Sequence, residues 1–204
     1  VIGGGPAGVV AALAARRHGA DTLLIERAGY LGGMMTGGFV VSFHTYRFEK
    51  DYVEASPTSN WQTPLVVKGL SLELLKRLQQ AKGTLDQGHF GDPSVRENFD
   101  AEVMVHLLDE MMGEAGVDVL FNTFVFDALV EDNAVKGVVL ANKSGPQVIL
   151  ADVVVDATGD ADVAAAAGVS YAIGRDGDGR CHGGGLLMEI GGINLDRLLA
   201  YLKN

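Results

Sequence analysis

Cysteine is nearly absent. The chain of 204 residues has one, Cys181, which excludes an internal disulfide and any Cys-x-x-Cys redox pair. A lone thiol fits a reducing compartment, and a cytoplasmic location is the expectation. Long apolar runs are missing too. None approaches the ~18 residues a membrane helix requires, so no membrane partner is expected. Positive charge is scarce: 16 Lys and Arg stand against 26 Asp and Glu, a formal net charge of −10. That balance argues against a nucleic-acid surface, which needs clustered cations to meet phosphates. No initiator methionine, internal repeat or low-complexity tract is present. The first strand would have only Val1 and Ile2 before its glycine turn, where roughly five or six residues are usual. The chain also stops at Asn204 within an apparent helix. We therefore expect a piece of a longer protein, in which a missing signal peptide is uninformative.

Glycine, by contrast, is abundant, with 28 residues clustered in a few loops. The first cluster is Val1-Ile2-Gly3-Gly4-Gly5-Pro6-Ala7-Gly8, followed by the apolar run Thr22-Leu23-Leu24-Ile25 and then Glu26. The spacing Gly3-x-Gly5-x-x-Gly8 between a strand and a helix describes a turn built to hold a pyrophosphate. Gly3 permits the tight turn, Gly5 lets the backbone approach the phosphates, and Gly8 lets the helix lie close to the strand. Pro6 suits the first helical position, where its missing N–H costs nothing. The free N–H groups and the helix dipole then face the anion. Glu26 is placed to accept hydrogen bonds from both hydroxyls of an adenosine ribose and to repel a 2′-phosphate. The competing reading is a tight strand–helix turn with no ligand, and the full strand–turn–helix–strand–acid context weighs against it.

Two further segments refine the ligand. After Glu26-Arg27 the chain runs Ala28-Gly29-Tyr30-Leu31-Gly32-Gly33-Met34-Met35-Thr36-Gly37-Gly38, a glycine-rich stretch able to pass flat against an extended cofactor. Later, Val153-Val154-Val155-Asp156-Ala157-Thr158-Gly159-Asp160 ends a buried-type strand in Ala-Thr-Gly. Backbone meets ligand there again, at the carboxyl end of a strand, where open α/β sheets bind. With Phe99-Asp100-Ala101-Glu102, Ala115-Gly116-Val117, Val135-Lys136-Gly137-Val138 and Gly191-Gly192-Ile193, these motifs span nearly the whole chain. The chain resembles the FAD-dependent oxidoreductases of the glutathione-reductase-like, two-dinucleotide-binding class. The resemblance implies FAD as cofactor, an adenine end at Glu26 and Arg27, and Gly32 and Gly33 along the pyrophosphate and ribityl chain. The lone cysteine separates the chain from the disulfide reductases of that class. Motifs and resemblance together give the cofactor-binding set as Gly3, Gly5, Pro6, Ala7, Gly8, Glu26, Arg27, Gly32, Gly33, Met34, Thr36, Phe124, Val125, Ala157, Thr158, Gly159 and Asp160. No metal is expected: Asp160 and Asp162 lack further ligands nearby, and Asp160 is read as the cap of a helix beginning near Ala161.

The expected fold is α/β: a Rossmann-like FAD-binding domain with a central parallel sheet, helices and an antiparallel β excursion over residues 1–168. Residues 39–98 would be an irregular and helical insertion near the flavin. Residues 169–204 would begin a substrate-side domain. Periodicity predicts helices over 6–18, 65–82 and 100–114, and strands over 117–121, 124–131, 134–142 and 147–155. The segments 39–64, with Pro57, Trp61 and Pro64, and 84–98, with Gly88, Gly91 and Pro93, read as loops. Leu186-Leu187-Met188-Glu189-Ile190 reads as a strand, and 195–202 as a helix. The methionines of the 100–114 helix have core spacing. His18 suits a helix end, and His106 a solvated face.

Two loop segments could border the flavin ring, Ser42-Phe43-His44-Thr45-Tyr46-Arg47 and Arg180-Cys181-His182. They make His44 and His182 the candidates for proton transfer, against the plainer reading of surface or core histidines. Cys181, an isolated cysteine without a motif, is read as inert rather than as a flavin attachment point. The expected function is hydride or electron transfer between a small-molecule substrate and FAD. Homo-oligomerisation or a redox partner is also open. Two alternatives stay open: a flavin-bearing electron-transfer subunit resembling that of heterodisulfide-reductase assemblies, and a non-redox, NAD-using relative of the thiazole-synthase kind.

Overall fold

The computed structural model describes residues 1–44, 68–84 and 96–202. These form two compact units, Val1–Ala172 and Ile173–Asn204.

The first unit is organised by parallel pairing. Strand β1 (Leu23–Ile25) pairs in parallel with β4 (Asp118–Leu120), with Leu24 opposite Val119. Ile2 forms parallel bridges to both Ile25 and Asp156. Four chain segments thus run the same way, in the order β4, β1, Ile2, Asp156. The residues that follow them must emerge at one edge: Thr123, Glu26, Gly3 and Ala157. This is the expected Rossmann-like α/β arrangement, and it brings distant motifs together.

Helix α1 (Pro6–Arg17) follows the glycine turn with Pro6 in its first position and buries Gly8, Val9, Ala12 and Leu13. It packs on α3 (Ala101–Ala115), which presents Met104, Leu107, Leu108, Met111 and Met112, all buried. Core spacing therefore explains the methionines. Asp100 caps α3, accepting from the N–H groups of Glu102 and Val103. Left-handed Gly116 closes it. Helix α2 (Leu70–Gln80) adds Leu74 and Leu78 to the same core. Phe99 lies in that core and stacks at a tilt on Phe43, ring centroids 5.0 Å apart.

The antiparallel excursion is a meander of β5 (Phe124–Glu131), β6 (Ala134–Asn142) and β7 (Gly145–Leu150). A second core cluster joins it to the parallel sheet through Ile2, Ile25, Val125, Val138, Leu140 and Val163.

Several expectations need correction. The run 147–155 is not one strand. β7 ends at Leu150, and the chain re-enters the parallel sheet, where the Ile2 N–H donates to Val155 O. One apolar run thus serves two sheets. The 39–98 insertion is not wholly irregular. β2 (Ser42–His44) pairs antiparallel with β3 (Arg96–Asn98). The second helix starts at Leu70, after Gly69 at φ +71°, rather than at 65. Pro57, Trp61, Pro64, Val67, Gly88, Gly91 and Pro93 lie outside the described residues.

In the second unit the described residues contain one regular element, α5 (Leu195–Leu202), whose start is braced by Asn194 Oδ1 accepting from the Arg197 N–H. No strand forms over Leu186–Ile190, contrary to the strand expected there. An apolar run becomes a strand only when a neighbouring strand takes its backbone groups, and the described residues of this unit supply none. No helix of the described residues is long and apolar enough to cross a membrane.

A surface ion network ties the three helices. Glu73 on α2 takes a two-pronged hydrogen bond from Arg17 on α1 at 2.6 and 2.8 Å. Arg77 bridges Glu73 to Glu114 on α3. The hydrogen bond from Arg17, opposed by slight burial, holds the Glu73 carboxyl below the ordinary glutamate value. A depressed folded value means stabilisation that is full above the unfolded pKa of roughly 4.3 and lost as pH falls through the folded value. Glu73→Gln should therefore cost about 0.5–1 kcal/mol at pH 7, the scale of a well-formed but solvent-screened pair. Urea unfolding should show the wild-type and variant stabilities converging as pH is lowered to about 3.

Candidate functional site

At the edge where the parallel segments end lies a cleft of about 780 Å³, within the roughly 300–1,000 Å³ range of ligand sites. Its floor is the glycine turn. Gly3 takes φ +92° and its position leaves no room for a Cβ, which would meet Ala157 O at 2.5 Å. A Cβ on Gly8 would strike the carbonyl oxygen of Gly3, so only glycine lets α1 sit this close to the turn. Gly5 differs: a Cβ there meets no protein atom within 4 Å, because it would point into the open cleft. No side chain caps α1 and no acid occupies its first turn. The helix thus presents its first N–H groups and positive dipole end to the cleft. A bare, uncapped helix start beside an empty Cβ position leaves donor groups and room for an anionic group.

The second glycine segment closes against the first. The Gly32 N–H donates to Gly4 O at 2.8 Å, and a Cβ on Gly33 would lie 3.0 Å from the Gly5 Cα. Glu26 ties the two segments. It is only 8% exposed. Its Oε2 accepts from the Gly4 N–H at 2.6 Å and its Oε1 from the Ala28 N–H at 2.7 Å. A buried carboxylate requires such partners. Each oxygen retains acceptor capacity, and Glu26 lines the cleft.

The far wall is Ala157, Thr158, Gly159 and Asp160. Asp156, just before them, accepts at Oδ1 from the Thr158 N–H at 3.0 Å and hydroxyl at 2.7 Å, and at Oδ2 from the Ala164 N–H at 2.8 Å. Burial works against ionisation of this carboxyl, but the hydrogen bonds from Ala164 and Thr158 outweigh it and hold its pKa below the ordinary aspartate value. The short helix α4 (Asp162–Ala166) follows. Asp160 does not cap it. Its N-cap residue is Ala161, at φ +59°, and the Asp162 N–H is taken by the Thr158 hydroxyl at 3.0 Å. With Ala161 left-handed, Thr158 rather than Asp160 reaches the first turn.

Most residues expected at the cofactor line the cleft: Gly3, Gly5, Pro6, Ala7, Glu26 and Arg27; Gly33 and Met34; Phe124 and Val125; and the four residues 157–160. Gly8, Gly32 and Thr36 do not line it. Gly8 is packed under the turn. Gly32 is pressed on Thr36, whose buried hydroxyl donates to Leu31 O at 2.7 Å. Tyr30, Gly37, Gly38 and Thr123 line the cleft without having been anticipated. The glycines at 37 and 38 sit in the same rich stretch, so that signal was available. Thr123 had none, since it arrives through the parallel pairing of β4.

The candidate histidines belong to different units. His44 ends β2, and its neighbours Thr45, Tyr46 and Arg47 lie outside the described residues. His182 lies in the second unit, in a hollow with Gly174, Arg175, Arg180 and the exposed Cys181. His106 is exposed and paired with Glu110 at 3.2 Å. Among the described residues no group of three His, Cys, Asp or Glu could hold a metal.

Glu26 thus has an architectural duty besides any contact with ligand. Glu26→Gln places an NH₂ group against a backbone N–H donor. It should destabilise the ligand-free protein by about 1–3 kcal/mol, read by urea denaturation. An unchanged midpoint would show that the carboxylate does not hold the two loops.

No curated protein sequence matches the chain. Among solved structures, a THI4 protein from Thermovibrio ammonificans is 22% identical, with a TM-score of 0.52, covering 81% of this chain and 58% of its own. The L-proline dehydrogenase from P. horikoshii is 19% identical, with a TM-score of 0.55, covering 84% and 56%. A geranylgeranyl bacteriochlorophyll reductase-like protein from Thermoplasma acidophilum is 18% identical, with a TM-score of 0.52, covering 82% and 41%. At these identities the likeness is one of fold, and the chain spans little more than half the length of the first two. A family model described as FAD dependent oxidoreductase matches residues 1–204. The chain belongs to the FAD-dependent oxidoreductase family.

Proposed function

We propose that the protein binds FAD in the cleft above the Gly3–Gly8 turn and works as an oxidoreductase on a small-molecule substrate. The observation that carries this reading is the empty Cβ position of Gly5 beside the uncapped start of α1. The pyrophosphate lies on the α1 N-terminus, and the adenosine ribose hydroxyls donate to the Glu26 carboxylate, with Arg27 nearby. Gly33 and Met34 run along the ribityl chain, and Ala157 to Asp160 form the opposite wall. Bound flavin supplies hydride or single-electron transfer; the protein supplies binding, orientation and exclusion of water. His44 and His182 are the proposed proton-transfer groups. Replacing the acting one by Gln should lower turnover by roughly 10²–10⁴-fold without loss of bound flavin. A cytoplasmic location and a homo-oligomeric state or redox partner complete the proposal, the first supported by the single cysteine.

The purified protein should show flavin absorption bands, bleached under anaerobic conditions by the substrate. Gly5→Val should abolish FAD binding in a protein that still folds, because the side chain would fill the pyrophosphate's place. Gly33→Val should act likewise but less completely. Isothermal titration with FAD decides the matter. Normal affinity in Gly5→Val would sink the phosphate-cradle reading.

A further inference from the structure

We propose that Asp156 is a positioning residue of the cofactor cleft: its carboxylate holds Ala157–Asp160 in the shape in which they form the far wall, without touching the cofactor. This rests on the reading that FAD occupies the cleft. Asp156 itself does not line it.

The geometry is that of a strap pinned at both ends. At the near end the backbone is fixed by the sheet: Asp156 bridges Ile2, and the Ala157 N–H donates to Ile2 O at 2.8 Å. At the far end Val163 is buried in the second core cluster. Between them the chain contains two left-handed residues, Gly159 at φ +95° and Ala161 at φ +59°. Ala161 has a Cβ and is strained there. A free loop would relax out of that shape. The Asp156 carboxylate prevents it by spanning the strap. One oxygen takes both the N–H and the hydroxyl of Thr158, and the other takes the Ala164 N–H beyond the bend. Thr158 relays the hold by accepting from the Asp162 N–H. A wall shaped before the ligand arrives spares the ordering cost on binding, which is how a residue out of contact raises affinity. The wall also sets the turn opposite it, since Ala157 is the residue that forbids a side chain at Gly3.

The two variants Asp156→Asn and Asp156→Ala test this in the full chain, with Gly5→Val as reference. Asparagine keeps one acceptor oxygen and alanine none. FAD affinity should fall at least about ten-fold in Asp156→Ala and by an intermediate factor in Asp156→Asn. Amide hydrogen exchange should follow the same order. The Ala164 amide should accelerate in Asp156→Asn, those of Thr158 and Ala164 in Asp156→Ala, and that of buried Leu108 in α3 in neither. Affinities within two-fold of wild type in both variants, while Gly5→Val loses FAD, would overturn the role of Asp156 and leave the cleft reading standing. Normal affinity in Gly5→Val would overturn the cleft reading, and this inference with it. Uniform acceleration of exchange across the core would reduce Asp156 to a general stabilising residue and overturn the proposal. Should both variants fail to fold, the wild-type protein without FAD decides: unprotected Thr158 and Ala164 amides would overturn it, and protected ones support it.

Discussion

The carboxylate of Glu26 is the point on which the site depends. It sits at the end of β1, where the parallel sheet delivers it, and each of its oxygens takes a backbone N–H from a different glycine-containing loop. A buried charge is costly unless every such demand is met. Here the demand is met by backbone, and the consequence is geometric. Gly4 is held to Glu26 by its N–H and to Gly32 by its carbonyl. The two loops therefore cannot move apart without orphaning a buried charge.

A second carboxylate repeats the device across the cleft. Asp156 gathers Thr158 and Ala164 as Glu26 gathers Gly4 and Ala28. Glu26 follows β1, and Asp156 is the residue that bridges Ile2 in the same parallel arrangement. Both spend their charge on backbone N–H groups, and Asp156 on the Thr158 hydroxyl as well, rather than on cations. The net charge of −10 does not settle the local balance of the cleft, whose lining holds Arg27 beside Glu26, Asp160 and Asp162 and faces the uncapped start of α1.

Behind the cleft, the core has a simpler logic. α1 buries a mixed face of small and large residues, Gly8, Val9, Ala12 and Leu13. α3 fills the remaining space with Met104, Met111 and Met112, flexible side chains suited to an irregular gap. The Arg17–Glu73–Arg77–Glu114 network adds a modest, pH-dependent contribution at the outer surface.

What the amino-acid order alone determined is local: the glycine spacing, Pro6 in the first turn, the helical stripe of methionines and the acid after β1. Each is set by neighbours within a few residues, where sterics and hydrogen-bond reach act directly. Tertiary structure alone decided the rest. It divided the apolar run 147–155 between two sheets and left Leu186–Ile190 without a strand, because a strand exists only through a partner. It turned Gly32 and Thr36 inward, since their exposure depends on how the second loop folds on the first. It gave the cap of α4 to Thr158 instead of Asp160, through a left-handed Ala161 that no propensity favours. Asp156 stood in the sequence as one acid among many. Its importance exists only where the sheet brings Ile2 beside it and the chain returns to put the Ala164 N–H within reach of its second oxygen.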